Sequence, residues 1–193
     1  MLRRQNEKIE KGETTITEAA NIAVIEDEIQ GSASPFSRSW AESEFVYLPL
    51  NNSNHWVLLV LEVKKRKIRV YNSKTRRADS LRDIRPFVES IQWLLPKVMD
   101  VHGVYDEIGY ERMGNEVLEL EPAEDCPQQE DGGNCGMYVL KIAEFLMMGL
   151  DIKEIKSKDI AMYRQKMAIE LVLYNNKRME ERKKQKQGPR SCI

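Results

Sequence analysis

Cys135 lies in the run Gln128-Gln129-Glu130-Asp131-Gly132-Gly133-Asn134-Cys135-Gly136, directly before the apolar stretch Met137–Met148. That order puts its sulfur in the first turn of a helix that then enters a core. A helix start offers unpaired N–H groups and a partial positive charge, and both favour a thiolate, the nucleophilic form of cysteine. The neighbouring glycines let the backbone turn tightly and let a substrate carbonyl come close. A cysteine here could equally be a small buried hydrophobe, but a merely buried residue has no need of such an open surround.

A nucleophilic thiol needs a base, and the chain has two histidines, His55 and His102. His102, in Val-His-Gly, reads as a solvated residue at a helix end. His55 opens the apolar run Trp56–Leu61, from which a side chain can reach a sheet edge or cleft. With the hairpin turn centred between Val63 and Lys64, Leu61 opposes Arg66, Val57 opposes Val70, and His55 opposes Asn72. Directly opposed side chains share a face, so Asn72 could hold the imidazole and choose its tautomer. A slip of one residue would undo the pairing. Gln129, six residues before Cys135, could donate its amide to a developing oxyanion together with the Cys135 backbone N–H, or be a solvated turn residue. Trp56 is either core or the wall of a substrate slot, and spacing alone does not separate the two.

These residues need elements to hold them. Thr17-Glu18-Ala19-Ala20 reads as a capped helix start, with helical spacing to Ile29 and a stop at Gly31. Residues 31–43 are a Ser/Gly/Pro-rich loop. Phe45–Leu48, Trp56–Val63 and Lys67–Tyr71 are dense in β-branched and aromatic residues or alternate as strands do. The tetrad Lys64-Lys65-Arg66-Lys67 supplies a charged turn. A helix capped by Asp79 or Ser80 runs through Leu81, Ile84, Val88, Ile91 and Leu95 toward Met99, with limits blurred by Pro86 and Pro96. A strand at Glu116–Leu120 is followed by helices at about Asn134–Met148, ended by Gly149, and Ser157–Asn176. Strands that do not alternate regularly with helices indicate an α+β fold. Three segments are expected: residues 1–39 as helix and linker, 40–176 as the catalytic domain, and 177–193 as a basic solvated tail.

Composition narrows the class. Hydrophobic residues make up 41% of the chain, enough for a core, and the net charge of −1 excludes a chain-wide basic field for nucleic acid. No run reaches the ~18 apolar residues of a membrane span, and the N-terminus has no apolar signal core. The three cysteines, Cys126, Cys135 and Cys192, form neither a disulfide framework nor a zinc site. An intracellular monomer, nuclear or cytoplasmic, with no membrane anchor and no metal or cofactor, is expected. Arg182-Lys183-Lys184-Gln185-Lys186 reads as a solvated run or as a nuclear-import or nucleic-acid patch.

Taken together, Asn54-His55-Trp56-Val57-Leu58, Val70-Tyr71-Asn72-Ser73, and Pro127-Gln128-Gln129 through Asn134-Cys135-Gly136-Met137-Tyr138 resemble the ubiquitin-like-protein-specific cysteine proteases. These are the SUMO-deconjugating peptidases, related to the adenovirus protease. Val46-Tyr47-Leu48-Pro49-Leu50-Asn51 resembles the strand that precedes the family's histidine. Leu140–Gly149 and Met162–Ala168 resemble its plant branch, including copies carried by mobile elements. The resemblance covers about residues 40–175. It implies a papain-like α+β fold with a mixed or antiparallel sheet flanked by helices, and cleavage after the C-terminal Gly-Gly of a SUMO or ubiquitin-like modifier, in maturation or deconjugation. By position it makes Cys135 the nucleophile, His55 the base, Asn72 its partner, Gln129 the oxyanion residue and Trp56 a wall of the diglycine tunnel, with no cofactor.

The family usually has aspartate where this chain has Asn72; asparagine orients the histidine without stabilising its cation, as in the Cys-His-Asn set of papain-like enzymes. The family's N-terminal Trp-Leu-x-Asp segment is not among the residues before His55, and Trp40 stands at the wrong spacing to replace it. The N-terminal part of the domain is therefore expected to be incomplete. A protease-like module with little or no activity that binds a modifier, and a mobile-element polyprotein protease, fit the same residues.

Overall fold

The computed structural model describes residues 23–35, 37–52, 54–74, 81, 83–130 and 132–186. The proposed helix start at residues 17–20, the caps Asp79 and Ser80, and Cys192 lie outside them.

Helix α1 (Ala23–Gln30) ends at Gly31, whose φ of 75° closes the helix. A side chain at Gly31 would sit 2.4 Å from the Ser39 backbone nitrogen, so the returning loop passes where only glycine leaves room. That loop brings Trp40 back against the helix, its N–H donating to the Ile29 carbonyl at 2.9 Å.

Strands β1 (Phe45–Asn52), β2 (His55–Glu62), β3 (Lys67–Tyr71) and β4 (Glu119–Pro122) form a sheet in that order, the first three antiparallel and β4 parallel to β3. The fold is α+β with a mixed sheet. β2 is the central, continuously apolar strand, and its alternating side chains feed two separate cores. Val57, Leu59 and Leu61 face helices α2 (Arg85–Val101) and α3 (Val104–Glu107) with Val88, Leu94, Val98 and Tyr105. Leu58 and Val60 face helix α4 (Cys135–Met147) with Met137, Tyr138 and Ile142. Each such side chain, when fully buried, contributes about 1.5–3 kcal/mol, so a run buried on both faces makes β2 the anchor of the domain.

The β2–β3 register corrects the sequence reading. Glu62 pairs with Lys67, Leu59 with Val70 and Leu58 with Tyr71, so the turn is Val63–Arg66 and Lys67 belongs to the strand. Val63, fully buried, anchors the turn to the core, and its carbonyl accepts the Arg66 N–H at 3.3 Å. Lys67 is drawn into the sheet by Glu119 and Glu121 of β4, at 3.3 and 2.9 Å. Arg66 closes the turn in the left-handed region, with φ 56°. Its guanidinium lies over the Tyr105 ring at 4.9 Å and helps offset that backbone cost. His55 therefore does not stand directly opposite Asn72. Because the offset is two residues, both stay on the same face of the sheet.

The crossover from β3 to β4 runs through α2. Leu81, Ile84, Val88, Ile91 and Leu95 are buried, as their spacing predicts, while Pro86 sits in the first turn of the helix and Pro96 lies inside it. Pro96 has no N–H to give the Gln92 carbonyl. The Leu118 N–H supplies that bond at 3.2 Å, and the Gln92 side chain donates back to Leu118 at 2.7 Å. This clasp holds Leu118 on α2, and β4 pairs from Glu119 on, so the strand lies later than the predicted Glu116–Leu120. Helix α5 (Ile160–Lys186) packs only at its start, through buried Ile160 and half-buried Tyr163 and Met167. It runs well past the predicted end at Asn176, because nothing in the following run breaks a helix. Its described side chains from residue 168 on are exposed.

Candidate active site

The site lies where β2 begins and α4 begins. A tight connection between β1 and β2, with Asn54 at φ 80°, puts His55 at the first position of β2. Asparagine tolerates this left-handed backbone better than most side chains. Its carbonyl oxygen lies 4.0 Å from the sulfur of Cys135, the first residue of α4. Cys135 is 6% exposed. Asn134, the residue before it, does not cap the helix with its side chain; its Oδ1 accepts from the Arg164 guanidinium of α5.

His55 Nε2 and Asn72 Oδ1 are 2.8 Å apart. The same oxygen accepts the Lys74 backbone N–H at 3.0 Å. A backbone N–H can only donate, so it holds the Asn72 amide with its oxygen inward. His55 Nε2 must then carry the proton, which leaves Nδ1 as the basic nitrogen of the neutral ring. A contact expected from a direct cross-strand pair is made diagonally, just beyond the paired end of β3.

Gln129 is buried, 6% exposed, and so is not a solvated turn residue. Its N–H donates to the Ser73 carbonyl at 2.7 Å, and its side-chain oxygen accepts the Ser73 hydroxyl at 3.1 Å. Gln128 donates to the Asn72 carbonyl at 3.0 Å. The end of β3 and the loop before Cys135 are thus one hydrogen-bonded block. Trp56 is 41% exposed and belongs to the cleft, not the core. A side chain at Gly136 would meet its ring at 3.7 Å. Gly132 and Gly133 have open space around them and no left-handed backbone, so contacts within the chain do not require glycine there. They leave the rim of the cleft beside Cys135 bare.

The model of the Ulp1 protease family, C-terminal catalytic domain, matches residues 12–179. The chain belongs to this family of cysteine proteases. The ubiquitin-like-specific protease ESD4 of Arabidopsis thaliana is 29% identical over 115 residues, 58% of this chain and 20% of its own. Ubiquitin-like-specific protease 1A of the same plant is 26% identical over 109 residues, 55% and 19%. The chain thus spans about a fifth of the length of these curated relatives. Among solved structures, SUMO protease Ulp1 with its catalytic cysteine oxidised to a sulfonic acid aligns at TM-score 0.46 and 23% identity, covering 63% of this chain and 49% of that one. The Ulp1 domain in complex with Smt3, the yeast orthologue of SUMO, aligns at TM-score 0.45 and 24% identity, covering 63% and 48%.

For a member of the Ulp1 family, the remaining predicted residues sort cleanly. Trp40 is buried in the α2-side core, and His102 is the C-cap of α2; neither lines the cleft. Cys126 is buried, and desolvation, reinforced by the Asp125 charge, pushes its thiol up to about 12. Among the described residues no group of His, Cys, Asp or Glu could hold a metal ion, and no helix is long and apolar enough to cross a membrane. Sequence reasoning missed Asn54, Arg164 and Ser73. Asn54 and Ser73 adjoin the chosen residues, so adjacency was the available signal. Arg164 lies in the run Met162–Ala168 that carries the family resemblance, but its place at the cleft comes from the packing of the start of α5.

Proposed function

We propose that the chain is a cysteine peptidase that cleaves after the C-terminal Gly-Gly of a SUMO or ubiquitin-like modifier. In this reading Cys135 is the nucleophile, His55 the general base and acid, Asn72 its orienting partner, Gln129 the oxyanion donor and Trp56 a wall of the substrate slot. The observation that carries it is the His55–Asn72 bond at 2.8 Å. Asn72 is itself held by Lys74, which leaves the His55 nitrogen a thiol needs as the unprotonated one.

His55 Nδ1 takes the thiol proton and the sulfur attacks the glycine carbonyl. The oxyanion is met by the Gln129 amide and backbone N–H groups at the start of α4. The His55 cation then protonates the leaving amine, and water hydrolyses the thioester. A diglycine tail, which carries no side chains, can lie flat across the bare rim at Gly132 and Gly133 and against the exposed face of Trp56.

The test is incubation with a panel of ubiquitin-like proteins carrying an electrophile at the C-terminal glycine, read by intact mass. An adduct formed by the native chain and lost in Cys135→Ala and His55→Ala is the expected result. No adduct with any modifier, from chain shown to be folded, overturns the reading.

A further inference from the structure

We propose that Ser73 is a positioning residue that chooses which end of the Gln129 amide faces the reacting carbonyl. This rests on the reading of Gln129 as the oxyanion donor.

A primary amide has an acceptor end and a donor end, and only the –NH2 can stabilise an oxyanion. Turned about, Gln129 would aim its oxygen at the developing negative charge and oppose the reaction. Ser73 holds the residue at both places where this is decided. Its carbonyl accepts the Gln129 N–H at 2.7 Å, which fixes the backbone, and its hydroxyl donates to Oε1 at 3.1 Å, which engages the acceptor end. Ser73 is 2% exposed and Gln129 6%, so water does not compete freely for this hydroxyl.

The loop has other holds that do not involve the hydroxyl. Gln128 donates to the Asn72 and Cys126 carbonyls, each at 3.0 Å. The Gln128 carbonyl accepts the Tyr138 hydroxyl at 3.2 Å, and that hydroxyl oxygen can accept the Ser157 hydroxyl at 2.7 Å, fastening the loop to α4 and to the segment before α5. With the loop pinned independently, what the Ser73 hydroxyl adds is amide orientation. Because Ser73 directly follows Asn72, one strand end then orients both the base, through Asn72, and the oxyanion donor, through Ser73.

The experiment is a double-mutant cycle on turnover of a modifier C-terminal amide. Ser73→Ala keeps the backbone bond and is expected to lower kcat about tenfold with little change in KM, the worth of one neutral hydrogen bond. Gln129→Ala should cost about 10²-fold. In the Gln129→Ala background Ser73→Ala should cost nothing further, because its effect passes through that amide. Ser73→Thr keeps the hydroxyl and should stay within about twofold of the native rate. Alkylation of Cys135 by iodoacetamide, which builds no oxyanion, should be unchanged in Ser73→Ala and Ser73→Thr. A full Ser73→Ala loss that persists without Gln129 overturns the proposal, as does native kcat in Ser73→Ala while Gln129→Ala is slow. Absence of turnover by the native chain overturns the peptidase reading itself and the assignment of Ser73 with it.

Discussion

The two faces of the sheet share one strand but differ in how their cores end. On the α2 side, Val57, Leu59 and Leu61 meet Val88, Leu94, Val98 and Tyr105, and the layer is closed by Trp40 and Leu118. Its polar contacts, such as the Gln92–Leu118 clasp, satisfy backbone groups that the fold itself leaves open. On the α4 side the apolar layer is smaller and gives way to polar groups held by one another: Ser73 to Gln129, Gln128 to Asn72, Tyr138 to Ser157. Hydrophobic burial is non-directional and can only stabilise; hydrogen bonds fix angles. A reaction centre needs angles, and the proposed site lies where the second kind of contact takes over.

Exchanging the loss between faces tests this division most sharply. Cys135→Ala should remove turnover by about 10⁶-fold, the scale for deleting a hydrolase nucleophile, and leave the denaturation midpoint nearly unchanged. Leu94→Ala, at a fully buried position on the α2 side, should do the reverse. Chemical denaturation should show a loss of about 2–5 kcal/mol, with kcat per folded molecule preserved.

A smaller effect separates neutral burial from hydrogen-bonded order by pH. Burial, partly opposed by the Arg66 charge, pushes the Tyr105 hydroxyl from 10.0 up to about 12. The folded chain therefore holds this proton more tightly than the unfolded chain. The resulting stability is full below pH 10 and is lost as pH rises toward 12. At pH 11 the native chain should have lost about 1 kcal/mol through this group, and Tyr105→Phe should flatten that part of the curve in denaturant titrations. An unchanged slope in the variant would mean that the ring is not buried as described.

On the polar side, Asn72→Asp keeps both accepted bonds, from Lys74 and from His55, and adds a charge that stabilises the histidine cation. Labelling by the electrophilic modifier should quicken several-fold, about 1 kcal/mol. A slower rate would mean that burying the charge costs more than the ion pair returns. The smallest change expected is from ending the chain after Asn176. The described side chains removed are solvent-exposed, so thermal unfolding should shift by less than about 0.5 kcal/mol equivalent.

Much of this arrangement was legible locally. The run Trp56–Val63 and the alternation of Lys67–Tyr71 marked the central strands, and Met137–Met148 marked α4. Hairpin arithmetic pairs His55 with Asn72 from a turn centred one residue too early, and their contact survives because the resulting two-residue offset preserves the face. The predicted strand at 116–120 and the end of α5 were less legible. The first depends on Pro96 freeing a carbonyl far away in sequence, and the second on the absence of any stop signal in a charged run.

The sequence by itself determined the elements, the apolar faces they bury and the placing of a cysteine at a helix start, because these follow from periodicity and from groups a few residues apart. Only the tertiary structure decided that Gln129 is buried, that Trp56 is not, that Ser73 bonds both the backbone N–H and the side-chain oxygen of Gln129 and that Arg164 reaches Asn134. Each depends on segments separated by tens of residues meeting at hydrogen-bond distance. No local propensity encodes such a meeting; it is set by how the two cores close around β2.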